Sequence, residues 1–100
     1  MPMPKIIYIS GPMTGRENYN RAEFNKKSNI LTDEGFNVLN PATLPDGLTQ
    51  LQYMGICQPM VMASTHIYML IGWQESEGAK AELALARKIK LEVIFEQLTD

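Results

Sequence analysis

Apolar and polar residues follow two alternating patterns along the chain. Four short stretches are mostly β-branched, aromatic or aliphatic, as in strands buried on both faces of a sheet. They are residues 6–9, 36–39, 67–71 and 91–95. The stretches between them have helical spacing and cover about residues 20–34, from 49 toward 63, and 79 to about 88. The order βαβαβαβ predicts an α/β protein with a parallel sheet and helices on both faces.

Several helix ends are also marked in the sequence. Two pairs have the capping-box spacing that begins a helix; they are Asn20 with Glu23 and Thr49 with Gln52. Gly35 stands where the first helix is expected to stop. Pro59 lies inside the second helical stretch, so we expect a kink or a restart there. Because no linker, repeat or low-complexity segment is visible, residues 1–100 are predicted to form one domain.

Composition narrows the possible functions. The 100 residues include 9 Lys+Arg and 11 Asp+Glu, a net charge of −2, so a nucleic-acid polymer is not an expected partner. One cysteine and one histidine argue against a disulfide, a cysteine-rich zinc site and a histidine metal cluster. No apolar run reaches the roughly 18 residues of a membrane span, and the first residues do not resemble a signal peptide. We expect a cytoplasmic protein with no membrane partner, no metal and no cofactor.

Glu82 is the most informative residue of the last helix. On a helical wheel it falls on the apolar side, and its neighbours three and four residues away offer no basic partner. Those neighbours are Gly78, Ala79, Leu85 and Ala86. Ligands of parallel α/β sheets bind at the carboxyl ends of strands, and this helix follows the third strand. Glu82 is therefore a candidate functional carboxylate; alternatively it pairs with a residue from elsewhere or faces water.

Two glycine-containing loops are candidate anion sites. Residues 10–15 follow the first strand, and residues 76–78 precede the last helix. Glycines let a phosphate approach the backbone, and a helix N-terminus favours an anion. Neither the dinucleotide GxGxxG nor the Walker pattern is present, so simple turns are the alternative.

Five further side chains have more than one interpretation. The Tyr8 hydroxyl could hydrogen-bond a sugar or the carboxylate, or Tyr8 could pack in the core with a polar tip. Trp73 could stack on a planar base or cover the edge of the core. Arg16 could face a phosphate or water. Structural roles are favoured for His66 and Cys57.

Three groups of residues together resemble a known family. They are residues 7–15, the triplet Asn40-Pro41-Ala42, and Gly72-Trp73 followed by Ser76-x-Gly78-Ala79-x-x-Glu82. At these positions the chain resembles a small family of unknown function, the DUF4406 type, common in phages and prophages. That family is similar to nucleoside 2-deoxyribosyltransferases and deoxynucleoside 5′-monophosphate N-glycosidases. The resemblance covers nearly the whole chain and implies a flavodoxin-like or Rossmann-like three-layer sandwich with a four-stranded parallel sheet.

The resemblance also implies roles for individual residues. Glu82 corresponds to the nucleophile and Tyr8 to a tyrosine that assists it, while Ser76 and Gly78 correspond to residues that hold a 5′-phosphate. The residues expected to contact substrate are Gly11, Pro12, Met13, Thr14, Gly15, Arg16, Asn40, Trp73, Ser76 and Gly78. The implied activity is cleavage or exchange of the N-glycosidic bond of a nucleoside or its 5′-monophosphate. A homodimer or higher oligomer is implied, with the neighbouring subunit closing the site.

One position departs from the pattern of the glycosidases. They carry an acidic proton donor on the helix before the third strand, where this chain has Cys57. Glu75, Glu77 or Asp46 could replace that acid. The departure leaves two alternatives open: a module that binds a nucleotide or a nucleotide-derived signal without turnover, and an interaction protein with a vestigial pocket.

Overall fold

Four strands and three α-helices form three layers in residues 4–98, the part of the chain that the computed structural model describes. The strands are β1 (Ile6–Ser10), β2 (Asn37–Leu39), β3 (His66–Met69) and β4 (Glu92–Phe95). The α-helices are α1 (Arg21–Asp33), α2 (Gln50–Met62) and α3 (Glu77–Lys88). Short 3-10 turns cover Glu17–Asn20, Pro41–Thr43 and Trp73–Glu75. The predicted alternation of strands and helices is confirmed.

The strands pair in parallel in the order β2-β1-β3-β4. This order matches the first four strands of the flavodoxin-like arrangement. The chain moves in one direction from β1 to β2 and in the opposite direction to β3 and β4. Because such crossovers are right-handed, the reversal places α1 on one face and α2 and α3 on the other. The predicted α/β three-layer sandwich is confirmed.

The pleat of β1 divides the core between the two faces of the sheet. Side chains alternate along a strand, so Ile7 and Ile9 are buried on the face that packs against Phe24 of α1. Tyr8 points the other way, into a cluster that α2 and α3 complete. That cluster includes Val61, Ile67, Met69, Leu83 and Ala86. Burial on both faces explains why residues 6–9 of β1 form a continuous run of aliphatic and aromatic residues.

Two of the predicted helix ends are confirmed. Gly35, with φ +98°, closes α1 with the hydrogen bonds of a Schellman motif. Thr49 and Gln52 form the capping box that begins α2. Pro59 does not make this helix restart, since α2 runs without interruption from Gln50 to Met62. Within residues 4–98, no helix combines the length and the apolar character needed to cross a bilayer.

The predicted capping box at Asn20 is wrong. Asn20 lies in the left-handed region with φ 62°, and its side chain makes no capping hydrogen bond. Its side-chain amide donates instead to the carbonyl of Pro12 at 2.9 Å. Asn18 and Tyr19 before it also have positive φ. The chain therefore enters α1 from a left-handed turn and not from the extended backbone typical of a capping residue.

Candidate active site

A cavity of about 340 Å³ lies at the carboxyl end of β1, beside the point where the strand order changes direction. Its walls come from the segment after β1, the start of α1, the loop after β2, one side of α2, and the start of α3. This is the place where parallel α/β sheets bind their ligands. The volume is within the range of small-molecule sites, about 300–1,000 Å³.

The carboxylate of Glu82 lines this cavity and is held by two hydroxyl groups of β1. The Tyr8 hydroxyl donates to Oε2 at 2.7 Å, and the Ser10 hydroxyl donates to Oε1 at 2.6 Å. Tyr8 and Ser10 are two residues apart on one strand, so both point to the face that α3 covers. Each carboxylate oxygen therefore has one fixed donor, and the side chain is oriented before any ligand binds.

The charge of Glu82 is compensated by neutral groups. Burial raises the pKa of its carboxyl, and the hydrogen bonds from Ser10 and Tyr8 act in the opposite direction. The ion pairs found within residues 4–98 do not include Glu82. Burial, together with the charge of Glu82, raises the pKa of the Tyr8 hydroxyl well above its usual value. Tyr8 is thus a proton-bearing hydrogen-bond donor at neutral pH.

Cys57 of α2 completes the buried end of the cavity. Burial raises the pKa of its thiol, the Tyr8 hydroxyl opposes this rise, and the charge of Glu82 adds to it. A thiolate is the reactive form of cysteine. Cys57 is therefore a neutral group at neutral pH and does not supply a second charge to the cavity.

The acids predicted as replacements for the missing proton donor lie outside the cavity lining. Glu75 pairs with Arg16 and its side chain is 72% exposed. Glu77 pairs with Lys80 and is 92% exposed. Asp46 pairs with Arg21 and is 68% exposed. Among the described residues, Glu82 is the one acidic side chain in the cavity lining.

Arg21 fixes the wall opposite α3. Its guanidinium donates to the Ala42 carbonyl at 3.3 Å and to the Asn18 side chain at 3.0 Å, and it pairs with Asp46. The same guanidinium lies 5.1 Å from the centre of the Tyr19 ring. These contacts hold the left-handed turn before α1, where a tyrosine at φ 56° is strained.

The start of α3 supplies a second polar wall. The Ser76 hydroxyl accepts a hydrogen bond from the Ala79 amide at 3.1 Å and caps the helix. Ser76, Gly78 and Ala79 all line the cavity. A helix N-terminus carries partial positive charge and exposed amides, so this wall is suited to an anionic group.

The residues predicted to contact substrate are divided between the cavity and its surroundings. The cavity is lined by Gly11, Met13, Thr14, Ser76 and Gly78, together with the predicted catalytic pair Tyr8 and Glu82. Pro12, Gly15, Arg16, Asn40 and Trp73 are outside the lining. Neighbouring residues of the first loop therefore contribute unequally: Ser10, Gly11, Met13 and Thr14 line the cavity, and Pro12, Gly15 and Arg16 do not.

Three of the outlying residues have structural contacts of their own. Arg16 pairs with Glu75. Trp73 packs on Phe95, with ring centres 5.8 Å apart. Asn40 is buried, and its side chain accepts a hydrogen bond from the Ala42 amide at 3.0 Å. Asn40 therefore stabilises the turn that follows β2.

Sequence reasoning missed several residues of the cavity. Ser10 lies in the predicted anion loop of residues 10–15, but its contact with Glu82 was not predicted, although a residue two positions after Tyr8 shares its face of the strand. Tyr19, Arg21 and Tyr53 also line the cavity. Their positions depend on the left-handed turn and the long loop after β2, which have no regular sequence period.

The fold and the site define a flavodoxin-like α/β protein with an oriented carboxylate in a ligand-sized cavity. The family described as "Domain of unknown function (DUF4406)" matches residues 5–95, and the chain belongs to this family. No curated protein matches the chain.

Proposed function

We propose that the protein cleaves or exchanges the N-glycosidic bond of a nucleoside or its 5′-monophosphate, with Glu82 as the nucleophile. The observation that supports this most directly is the carboxylate of Glu82, whose two oxygens are held by Tyr8 and Ser10 at the wall of the cavity. A further support is the resemblance of the family to nucleoside 2-deoxyribosyltransferases and nucleotide N-glycosidases.

The reaction follows the pattern of retaining glycosidases. An oxygen of Glu82 bonds to the sugar C1′ while the bond from C1′ to the base nitrogen breaks and its electron pair leaves with the base. The product is a glycosyl ester on Glu82. Water then releases the free sugar or sugar phosphate, or a second base takes the sugar. Tyr8 and Ser10 keep the carboxylate in one orientation, which lowers the entropic cost of attack.

The walls of the cavity suit the other parts of a nucleotide. The start of α3, with Ser76 and Gly78, is suited to the 5′-phosphate. Aromatic and apolar side chains on the opposite side are suited to a planar base. They include Tyr19, Leu44 and Tyr53. A nucleotide substrate also agrees with the predicted cytoplasmic location.

The test is release of free base from purified protein and a panel of nucleosides and nucleotides, followed by chromatography. We expect release by the native chain and none by Glu82→Ala. Glu92→Gln is the matched control, because Glu92 is an exposed glutamate of β4 that pairs with His66 away from the cavity. An absence of release across the whole panel would contradict the proposal.

A second candidate is a module that binds a nucleotide without turnover. The observation that favours it is that Glu75, Glu77 and Asp46 all lie outside the cavity lining, so none is placed to protonate a departing base. In this case a nucleotide raises the melting temperature and is recovered intact after long incubation. Recovery of free base would argue against it.

We also propose that a second copy of the chain covers α2. This helix contains no charged residue, and Leu51, Met54 and Met62 on one side of it are 77%, 46% and 61% exposed. Gln50, Tyr53 and Cys57 on another side of the same helix line the cavity, so the partner and the cavity would contact different sides of α2. We expect Met62→Lys to convert a dimer to a monomer in light scattering, with Ile30→Lys on α1 as the control. A native chain that is monomeric at micromolar concentration refutes this proposal.

A further inference from the structure

We propose that the preferred substrates are N-glycosides whose base carries a fixed positive charge, such as a pyridinium or an N7-alkylated purine, and that the base leaves without being protonated. This inference rests on the proposed function and names its substrate class. It follows from how acids, donors and charges are distributed around Glu82.

The first step is the placement of acidic groups. An ordinary nucleoside base leaves as an anion unless an acid protonates it, and such an acid contributes roughly 10²–10⁴-fold to the rate. Within residues 4–98, the cavity lining contains one carboxyl group, that of Glu82. Because Glu82 is the nucleophile, it is deprotonated when it attacks and has no proton to give.

The second step concerns the other hydrogen donors near the carboxylate. The Tyr8 and Ser10 hydroxyls are already engaged by the two oxygens of Glu82. The pKa of the Tyr8 hydroxyl is raised well above its usual value by burial and by the charge of Glu82. Burial also raises the pKa of the Cys57 thiol. Each of these groups is a weaker acid than a carboxyl and is poorly suited to protonating a base.

The third step is the balance of charge in the cavity. Glu82 has no ion-pair partner among the described residues. Arg21, the basic residue of the lining, is paired with Asp46. A cationic ring would therefore meet one carboxylate that has hydroxyl donors but no cationic partner among the described residues. The positive charge of the ring would favour the charged form of Glu82 and so oppose the effect of burial on the pKa of the Glu82 carboxyl.

The fourth step is the shape and chemistry of the far wall. Tyr19 and Tyr53 line the cavity, with the Arg21 guanidinium over the Tyr19 ring, and the faces of aromatic rings attract cations as well as planar rings. Such a wall binds a flat cationic heterocycle by stacking, without the hydrogen bonds that would read the edge of one particular base.

The reaction of such a substrate balances without a proton donor. A Glu82 oxygen forms the ester bond to C1′, the bond from C1′ to the ring nitrogen breaks, and its electron pair cancels the positive charge of the ring. The base departs as a neutral molecule. Water then opens the ester, regenerates the carboxylate and releases one proton to solvent.

The experiment compares two matched pairs of substrates with the full chain. One pair is nicotinamide mononucleotide and its reduced form, which share a size and a sugar but differ in ring charge. The other pair is a guanine deoxynucleotide with and without an N7-methyl group. This second pair tests the same difference in ring charge on a deoxyribose sugar. Release of each base is followed by chromatography, with Glu82→Gln as the inactive control in all four assays.

We expect the charged member of at least one pair to be cleaved at least about 10²-fold faster than its neutral partner, after subtraction of the uncatalysed rate. Equal rates for the charged and neutral members would overturn this inference and leave the proposed glycosidase standing. No cleavage of any of the four compounds, nor of the wider panel, would overturn both. The comparison of charged with neutral substrates therefore distinguishes a failure of this inference from a failure of the proposed function.

Discussion

The hydroxyl of Ser10 lies 2.6 Å from Oε1 of Glu82, although 72 positions separate the two residues in the chain. Ser10 is the last residue of β1, and Glu82 is in the second turn of α3. The contact joins the central strand to the helix that begins at the cavity. It is also one of the two hydrogen bonds that lower the pKa of the Glu82 carboxyl against the effect of burial.

We predict that Ser10→Ala moves the acid side of the pH–rate profile to higher pH. Removal of the hydroxyl takes away a donor that favours the carboxylate, so the pKa of Glu82 rises further and more of it is protonated at a given acidic pH. The measurement is the rate of base release across the acidic range. Ser64→Ala is the matched control, because Ser64 is a buried serine that donates to the Met60 carbonyl away from the cavity. An unchanged profile in Ser10→Ala would show that Ser10 does not tune Glu82.

We predict that Glu82→Gln is more stable than the native chain at neutral pH. Burial raises the pKa of Glu82 from 4.5, so the folded chain holds this proton more tightly than the unfolded chain. Native stability therefore falls as the pH rises from that value toward the raised pKa, whereas glutamine does not titrate. The amide can still accept from Ser10 and donate to the Tyr8 oxygen.

The measurement for Glu82→Gln is the melting temperature as a function of pH. The difference in melting temperature between Glu82→Gln and the native chain should grow as the pH rises above 4.5 and then level off. One kcal/mol corresponds to about 4–8 °C for a domain of this size. A variant that is less stable than the native chain at every pH disproves the argument from burial.

We predict that Gly11→Ala destabilises the protein. A Cβ at Gly11 would lie 2.7 Å from the Cβ of Leu70, which is 1% exposed and cannot move aside. Overpacking of this kind costs about 1–3 kcal/mol. Gly55→Ala in α2 is the control, because nothing lies within 4 Å of its added Cβ, and it should stabilise the helix by about 0.5–1 kcal/mol. Chemical denaturation measures both, and equal effects of the two changes would contradict the steric argument.

We predict that Cys57→Asp raises the rate on neutral bases. Cys57 lines the cavity and occupies the position where the resemblance places a proton donor. A carboxyl there would protonate a departing base and restore part of a roughly 10²–10⁴-fold contribution. The rate on a cationic base should change little, because that base needs no proton.

Cys57→Ser is the control for this prediction, since it changes the side chain at the same position without adding a carboxyl. Circular dichroism of both variants checks that the fold persists with a polar group at a buried site. A folded Cys57→Asp with no gain on neutral bases would show that position 57 is not within reach of the base.

Local patterns in the sequence predicted the elements of the fold and pointed to Glu82 as a candidate functional carboxylate. Helical and strand periodicity are local properties of the chain, and so are the capping box at Thr49 and the stop at Gly35. Glu82 was recognisable because a carboxylate among apolar helix neighbours conflicts with its own surroundings. For Tyr8 the position at the end of its strand left a core role and a functional role open, and the functional role was implied by the family resemblance.

How these residues come into contact depends on the packing of the elements in three dimensions. The hydrogen bond between Ser10 and Glu82 requires β1 and α3 to pack together, although the two residues are 72 positions apart in the chain. The placement of Trp73 on Phe95, away from the cavity, requires β4 to lie beside β3. The wall formed by Arg21 requires a left-handed turn that replaces the expected cap at Asn20. Periodicity reports which face of an element is apolar, whereas the distance between two elements is fixed by the packing of the whole core.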